Sequence, residues 1–175
     1  MLKKIAIAAV ALITAVLAYA ATKPDTFHVQ RTTAIQASAE KIFPLVNNFH
    51  NHSSWSPWEK KDPAMKKTLS GSENGKGAVY AWEGNSDVGK GNIEITDSVP
   101  TSKVMMTLNM MTPFEAHNIV EFTLAPNGDS TEVTWAMHGP QSYVMKVMSV
   151  LIDCDNMVGK DFEAGLASMK ALAEK

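Results

Sequence analysis

Cysteine is nearly absent from this sequence, and positive charge is in slight deficit. Cys154 is the only cysteine among the 175 residues, so the chain forms no internal disulfide and offers no cysteine cluster for structural zinc. The 16 Lys and Arg residues face 18 Asp and Glu residues, without a basic cluster that would neutralise a run of phosphates. We therefore expect no nucleic-acid partner and no metal or other cofactor.

Residues 1–21 form the long apolar segment of the chain. Lys3 and Lys4 precede an apolar run that closes with the small residues Ala18-Tyr19-Ala20-Ala21, a pattern typical of an export signal. The run is shorter than the roughly 20 apolar residues that span a bilayer, but counting its last residues also allows a retained membrane anchor. In both cases the two lysines stay on the cytoplasmic side, and residues 22–175 are exported as one domain.

The exported part begins with segments of period-two alternation, in which every second side chain is apolar. Short stretches rich in Asn, Gly, Asp and Pro separate these segments, and such turns favour antiparallel pairing. The predicted strands are Phe27–Ile35, Met65–Ser70, Ala78–Glu83, Gly91–Asp97, Lys103–Met111, Glu115–Leu124 and Thr131–His138.

Two helical regions are predicted. Ser38 is an N-cap candidate for a short helix, and the segment 47–63 after it has no clean period and is expected to form a loop or a few short helical turns. Residues 143–173 follow the three-and-four spacing of one long helix. Gly159 and Gly165 lie inside it, where each costs about 1 kcal/mol of helix propensity, so we expect a close approach to a sheet or a ligand there.

This order of elements predicts an α+β fold. A curved antiparallel sheet of six to seven strands would wrap around the long C-terminal helix. Side chains on the concave side of the sheet would then enclose a ligand cavity between the sheet and the helix.

Four stretches of the sequence carry a family resemblance. They are Trp55-Ser56-Pro57-Trp58-Glu59 with Asp62-Pro63, the glycine-flanked segment 75–85, the segment 133–137, and the segment 157–163 with Gly165-Leu166. Together they resemble the START-like or SRPBCC superfamily, in its polyketide cyclase/dehydrase-like branch whose members often begin with a hydrophobic leader. The resemblance implies the helix-grip fold and a cavity for an apolar ligand, but it transfers no catalytic residues to this chain.

Aromatic and methionine side chains are the main candidates for the cavity wall. The chain has 11 methionines, which line adaptable pockets well and fill ordinary cores equally well. The candidate ligand-binding residues are Trp55, Trp58, Tyr80, Trp82, Asn118, Trp135, Met137, Met148, Leu151, Asp155 and Phe162.

Asp155 is the candidate acid or base. A step of about 100° per residue along the last helix places it on the apolar stripe, between Leu151 and Phe162. A carboxylate in that position must be paired, protonated or hydrogen-bonded. Its partner would be a ligand hydroxyl or a protein donor such as Tyr80 or His117, and both alternatives stay open.

Three functions are consistent with these residues. The favoured one is the binding of a small hydrophobic or amphipathic molecule, such as a lipid or an aromatic metabolite, in the cavity. The second is a cyclase or dehydratase, in which Asp155 with His117 or Tyr80 moves a proton on a polyketide-like substrate. The third is an envelope-stress or membrane-surface role, in which Trp55 and Trp58 touch lipid headgroups. The oligomeric state is left open.

Overall fold

Seven strands form one antiparallel sheet in this computed structural model, which describes residues 1–151 and 153–175. The strands are β1 (Thr26–Ile35), β2 (Lys66–Gly71), β3 (Ala78–Glu83), β4 (Lys90–Val99), β5 (Lys103–Thr112), β6 (Ala116–Asn127) and β7 (Ser130–Pro140). Their order is β1-β7-β6-β5-β4-β3-β2, so the first strand pairs with the last and the others form a meander. The predicted α+β fold and its strand number are confirmed.

The helices lie before, between and after the strands. They are α1 (Leu2–Ala21), α2 (Ala39–Asn47), α3 (His52–Trp55), α4 (Pro57–Lys61), α5 (Tyr143–Leu151) and α6 (Cys154–Ala173), with a 3-10 turn at Phe49–Asn51. The segment 47–63 thus forms short helical turns, which is one of the two predicted outcomes.

The alternation in the sequence decides which side of the sheet is buried. Asn118, Val120 and Phe122 of β6 are buried, whereas the residues between them are partly exposed. Phe122 lies opposite Trp135 of β7 in the strand register, and Trp135 is buried as well. Because neighbouring side chains of a strand point to opposite faces, this buried row fixes the face that packs against α6.

The C-terminal region consists of two helices, which corrects the predicted single helix over residues 143–173. α5 ends at Leu151, and α6 begins at Cys154 with Asp153 as its N-cap. The Asp153 carboxylate accepts a hydrogen bond from the Asn156 amide at 2.9 Å, which satisfies one of the free N–H groups of the first turn. The break separates the helical periods of α5 and α6, so a 100° step cannot be carried from one helix into the other.

Gly165 lets α6 pack directly on β7. A Cβ atom at this position would lie 2.7 Å from Cζ3 of Trp135 and 3.3 Å from Cδ of Pro57. Gly159 lies against the guanidinium of Arg31 on β1, where a Cβ atom would overlap with it. The predicted close approach at both glycines is confirmed, and the partner in each case is the sheet.

The last turn of α1 packs on α5. The helix is long and apolar enough to cross a membrane, with a mean hydropathy of 2.1, and nearly all of its residues are exposed. Ala20 is the exception and is fully buried. The Tyr143 hydroxyl of α5 donates to the Leu17 carbonyl at 2.8 Å, and Lys23 donates to the Ser149 carbonyl at 2.8 Å. These contacts fix the place where α1 leaves the domain.

Candidate functional site: a cavity under the C-terminal helix

A cavity of about 340 Å³ lies between the sheet and α6. Pockets for small molecules usually have volumes of roughly 300–1,000 Å³, so this one suits a compact ligand. Strands β3 to β7 form one wall, with Met106, Leu108 and Val120 among the lining residues, and α3, α4 and α6 form the other, with Val158 and Phe162. The wall is predominantly apolar.

The cavity opens at the end of the sheet where α1 and α5 join it. Exposed residues border this mouth, among them Asp87 of the β3–β4 loop, Pro113 of the β5–β6 loop and Met157 of α6. The start of β1 pairs with the end of β7, where Thr26 lies opposite Pro140. Neighbouring strands are antiparallel throughout the sheet. The β3–β4 and β5–β6 loops therefore lie at the same end of the sheet as the start of β1 and the end of β7.

Five aromatic side chains, hereafter the aromatic cluster, form the inner part of the wall: Trp55, Trp58, Phe122, Trp135 and Phe162. The rings of Trp135 and Phe162 stack with their centroids 4.0 Å apart and their planes 7° from parallel. Trp135 contacts the other three rings at centroid distances between 4.9 and 5.6 Å. Each such pair contributes about 0.5–1.5 kcal/mol beyond the burial of its area, so Trp135 is held firmly in place.

A buried carboxylate lies beside the aromatic cluster. Glu59 of α4 is 9% exposed; it accepts a hydrogen bond from the Tyr80 hydroxyl at 2.7 Å and pairs with Lys67 at 2.6 Å. Burial opposes ionisation of Glu59, but the hydrogen bonds from Lys67 and Tyr80 outweigh it and lower its pKa. Burial, together with the hydrogen bond to Glu59, raises the pKa of Tyr80. These three residues therefore satisfy one another.

Four buried polar side-chain atoms have no hydrogen-bond partner within the described residues. They are His52 Nδ1, Ser56 Oγ, Asn118 Oδ1 and Trp135 Nε1, and all four residues line the cavity. Buried polar groups are normally hydrogen-bonded, and an unpaired one costs about 1–3 kcal/mol. Their concentration at the cavity indicates that its wall offers polar contacts as well as apolar ones.

The imidazole of His52 is neutral at physiological pH. Burial lowers the pKa of His52 from 6.5 to about 4, because the charged ring would lose its hydration, and the attraction of Glu59 only partly compensates. The ring packs against Trp55 and Tyr80, with centroid distances of 4.9 and 5.1 Å. His52 therefore adds a polar but uncharged group to the wall.

Eight of the eleven predicted ligand-binding residues line the cavity: Trp55, Trp58, Tyr80, Trp82, Asn118, Trp135, Met137 and Phe162. Met148 does not, because it is exposed on α5. The side chain of Leu151 lies outside the described part of the chain. Trp55 is 1% exposed, which excludes it from the alternative in which these two tryptophans touch lipid headgroups, and Trp58 is half-buried and packs on Trp135.

The prediction that Asp155 lies on the buried stripe is also wrong. Its side chain is 59% exposed and pairs with Arg31 of β1 at 3.2 Å. Asp155 and Phe162 are seven residues apart in α6 and share one face, but Asp155 lies in the first turn of the helix, where this face is exposed and the carboxylate pairs with Arg31. His117 is exposed as well, with its Nδ1 atom 2.7 Å from Asn109 Oδ1. The proton-transfer arrangement expected around Asp155 is therefore not assembled.

The polar residues on the helical side of the cavity could not be identified from the sequence. Glu59, His52 and Ser56 all lie in the segment 47–63, which has no regular period from which a face can be read. The Trp55-Ser56-Pro57-Trp58-Glu59 stretch carries the family resemblance, but the resemblance assigns no role to Ser56 or Glu59.

The family of the chain follows from its sequence match. The family described as "Polyketide cyclase / dehydrase and lipid transport" matches residues 26–174. This chain belongs to that family. The match includes the sheet, the cavity and both C-terminal helices, and it confirms the resemblance to the SRPBCC superfamily. No curated protein matches the sequence.

Solved structures share the helix-grip fold at low identity. The Aha1 dimer from Colwellia psychrerythraea is 18% identical, with 85% of this chain and 96% of that chain covered and a TM-score of 0.60. Major latex-like protein 151 from Panax ginseng is 14% identical, with 87% and 100% covered and a TM-score of 0.60. DynU16, a putative protein in the dynemicin biosynthetic locus, is 14% identical, with 87% and 48% covered and a TM-score of 0.60. These likenesses show the fold alone.

We predict that His52 makes the stability of the protein depend on pH. Its pKa is lower in the folded state than the unperturbed 6.5, so its contribution is complete above about pH 6.5 and is lost as the pH falls towards 4. The total loss is of the order of 3 kcal/mol. Urea unfolding between about pH 7.5 and pH 5 measures this dependence.

Two variants isolate the effect of His52. His52→Gln does not titrate, so its stability should change less with pH than that of the wild type. His50→Gln, at an exposed position of the same segment, should keep the wild-type dependence. Equal pH dependence of His52→Gln and the wild type would contradict the assignment.

Proposed function

We propose that this protein binds a small hydrophobic or amphipathic molecule in the cavity between the sheet and α6. The family and the fold support a ligand-binding or cyclase-type function in general terms. The observation that carries the more specific proposal is the cavity itself, about 340 Å³ within an aromatic and aliphatic wall. An apolar hollow of this size that opens at one end fits a compact ligand better than bulk water.

The wall combines rigid and adaptable parts. The aromatic cluster is held by mutual stacking around Trp135. The rows of the sheet that follow Phe122 and Trp135 towards the mouth contain Met106, Met110 and Met137, whose flexible thioether side chains adjust to different ligand shapes. A fixed aromatic end and a deformable methionine end favour a ligand with one rigid ring portion.

The cyclase alternative receives no comparable support from the geometry. It required Asp155 to act on a bound substrate with His117 or Tyr80. Asp155 is exposed and paired with Arg31, and the Tyr80 hydroxyl already donates to Glu59. We therefore favour binding over proton transfer as the function.

α1 acts as a retained membrane anchor for an exported domain. Its last turn supports this view, because Ala20 is fully buried and the Leu17 carbonyl accepts a hydrogen bond from Tyr143. Cleavage after the small residues of this turn would remove these contacts. Since the cavity mouth lies at the end of the sheet where α1 joins it, an anchored domain would turn its mouth towards the bilayer.

Filling the cavity should remove the ligand. Leu108 lines the cavity, whereas its neighbour Thr107 on β5 is not part of the lining. The organic extract of gently purified protein, analysed by mass spectrometry, should contain a bound compound for the wild type and for Thr107→Trp. Leu108→Trp should carry about tenfold less of it, because the indole occupies the ligand space. Equal amounts of bound compound in the extracts of the wild type and Leu108→Trp would contradict the proposal.

The anchor proposal predicts that the mature protein keeps α1. Intact-mass analysis of the protein expressed from the full sequence should find the chain in the membrane fraction with residues 1–21 attached. Recovery of a soluble chain whose first residue lies near Ala21 would show that the segment is a cleaved signal.

A further inference from the structure

Three of the unpartnered polar groups, hereafter the polar trio, surround Trp55: His52, Ser56 and Trp135. The ring centroids of His52 and Trp135 lie 4.9 and 5.4 Å from that of Trp55, and Ser56 follows it in the chain. Ser56 is 1% exposed and Trp135 is 3% exposed. His52 and Ser56 come from the helical wall and Trp135 from the sheet, so the polar trio reaches the cavity from both sides.

Other polar groups of the same wall are satisfied by the protein. The indole N–H groups of Trp55 and Trp82 donate to the carbonyls of Leu45 and Val88, at 2.7 and 3.0 Å. The Tyr80 hydroxyl donates to a carboxylate at 2.7 Å. The fold therefore supplies partners for several polar edges of this wall, whereas the polar trio and Asn118 Oδ1 have none within the described residues.

The chemistry of the polar trio matches a hydroxyl group. The indole N–H of Trp135 can only donate, the Ser56 hydroxyl can donate or accept, and one nitrogen of a neutral imidazole such as His52 accepts. A ligand hydroxyl can accept from the indole and donate to the serine or the imidazole. A carboxylate can only accept, and the lysine that lines the cavity, Lys61, is already paired with Asp161 at 2.7 Å.

We propose that the polar trio is a subsite for a hydroxyl group, and that the ligand is an uncharged ring compound that carries one. Trp135 and Phe162 both line the cavity and stack on each other, so the wall beside the subsite is aromatic and rigid, which favours a ring over a flexible chain. This inference rests on the proposed function, since it names the class of ligand that the cavity takes.

The test compares two probes of similar shape, 1-naphthol and 1-methylnaphthalene, which differ in a hydroxyl and a methyl group. The full chain is placed in phosphatidylcholine nanodiscs, and binding is measured by equilibrium dialysis against nanodiscs without protein. Partition of each probe into lipid is the same for every variant. The ratio of the two affinities, compared between variants, therefore reports on the protein alone.

Ser56→Ala removes one polar group and keeps the apolar wall, whereas Trp135→Phe removes the indole N–H together with part of the ring that stacks on Phe162. Each should reduce the ratio of the 1-naphthol affinity to the 1-methylnaphthalene affinity about tenfold, which corresponds to the loss of one buried hydrogen bond, and Ser56→Ala should leave the binding of 1-methylnaphthalene nearly unchanged. Ser53→Ala, at an exposed position of α3, is the control and should leave the preference unchanged. Ser56→Ala should also be at least as stable as the wild type without probe, because it removes an unpaired buried group; a structural serine would show a loss.

The possible results test the hydroxyl subsite and ligand binding in the cavity separately. If both probes bind and neither variant changes their ratio, the subsite is overturned and the binding cavity stands. If the wild type binds neither probe, the subsite is likewise overturned, and the comparison of Leu108→Trp with Thr107→Trp decides the proposed function separately. A tenfold change confined to 1-naphthol supports the subsite.

Discussion

The stack of Trp135 on Phe162 divides the space under α6 into a packed part and an open part. Towards the C-terminus, Leu166 and Met169 are 2% and 0% exposed and belong to the core. Towards the N-terminus, α6 faces the cavity with Val158. The absence of a side chain at Gly165 permits this stack, because a Cβ atom there would lie 2.7 Å from the Trp135 ring. The cavity therefore lies beneath the N-terminal part of α6, which contacts β1 at Gly159 but leaves space over β5 and β6.

The same packing determines the electrostatics of the cavity. Glu59 is the buried charge beside it, and Lys67 and Tyr80 compensate that charge from β2 and β3. The pKa of His52 is lowered by burial to about 4, so its ring is neutral. The wall is therefore aromatic and polar at a few atoms, and it carries no uncompensated charge at Glu59 or His52. Such a wall suits a neutral ligand, because an ion would lose its hydration without gaining a counter-charge.

The sequence predicted those parts of the fold that follow a regular period. Side chains of a strand alternate strictly, so Asn118 and Phe122 of β6 could be placed on one face, but the apolar Ile119 on the other face left open which face is buried. A helical period gives the face of a residue but not whether its turn is covered, so it placed Asp155 on the face of Phe162 without showing that the first turn of α6 is exposed. Glu59 and Ser56 could not be placed, because tertiary contacts rather than a period fix the short turns of the segment 47–63.

Xenon binding tests most directly whether an apolar cavity lies between the sheet and α6. Xenon enters apolar cavities and remains absent from packed cores. A crystal structure of the full chain under xenon pressure should show a xenon atom between β5 and α6, in contact with Met106, Leu108 or Phe162. A structure in which side chains fill that space, and xenon is absent from it, would contradict the account.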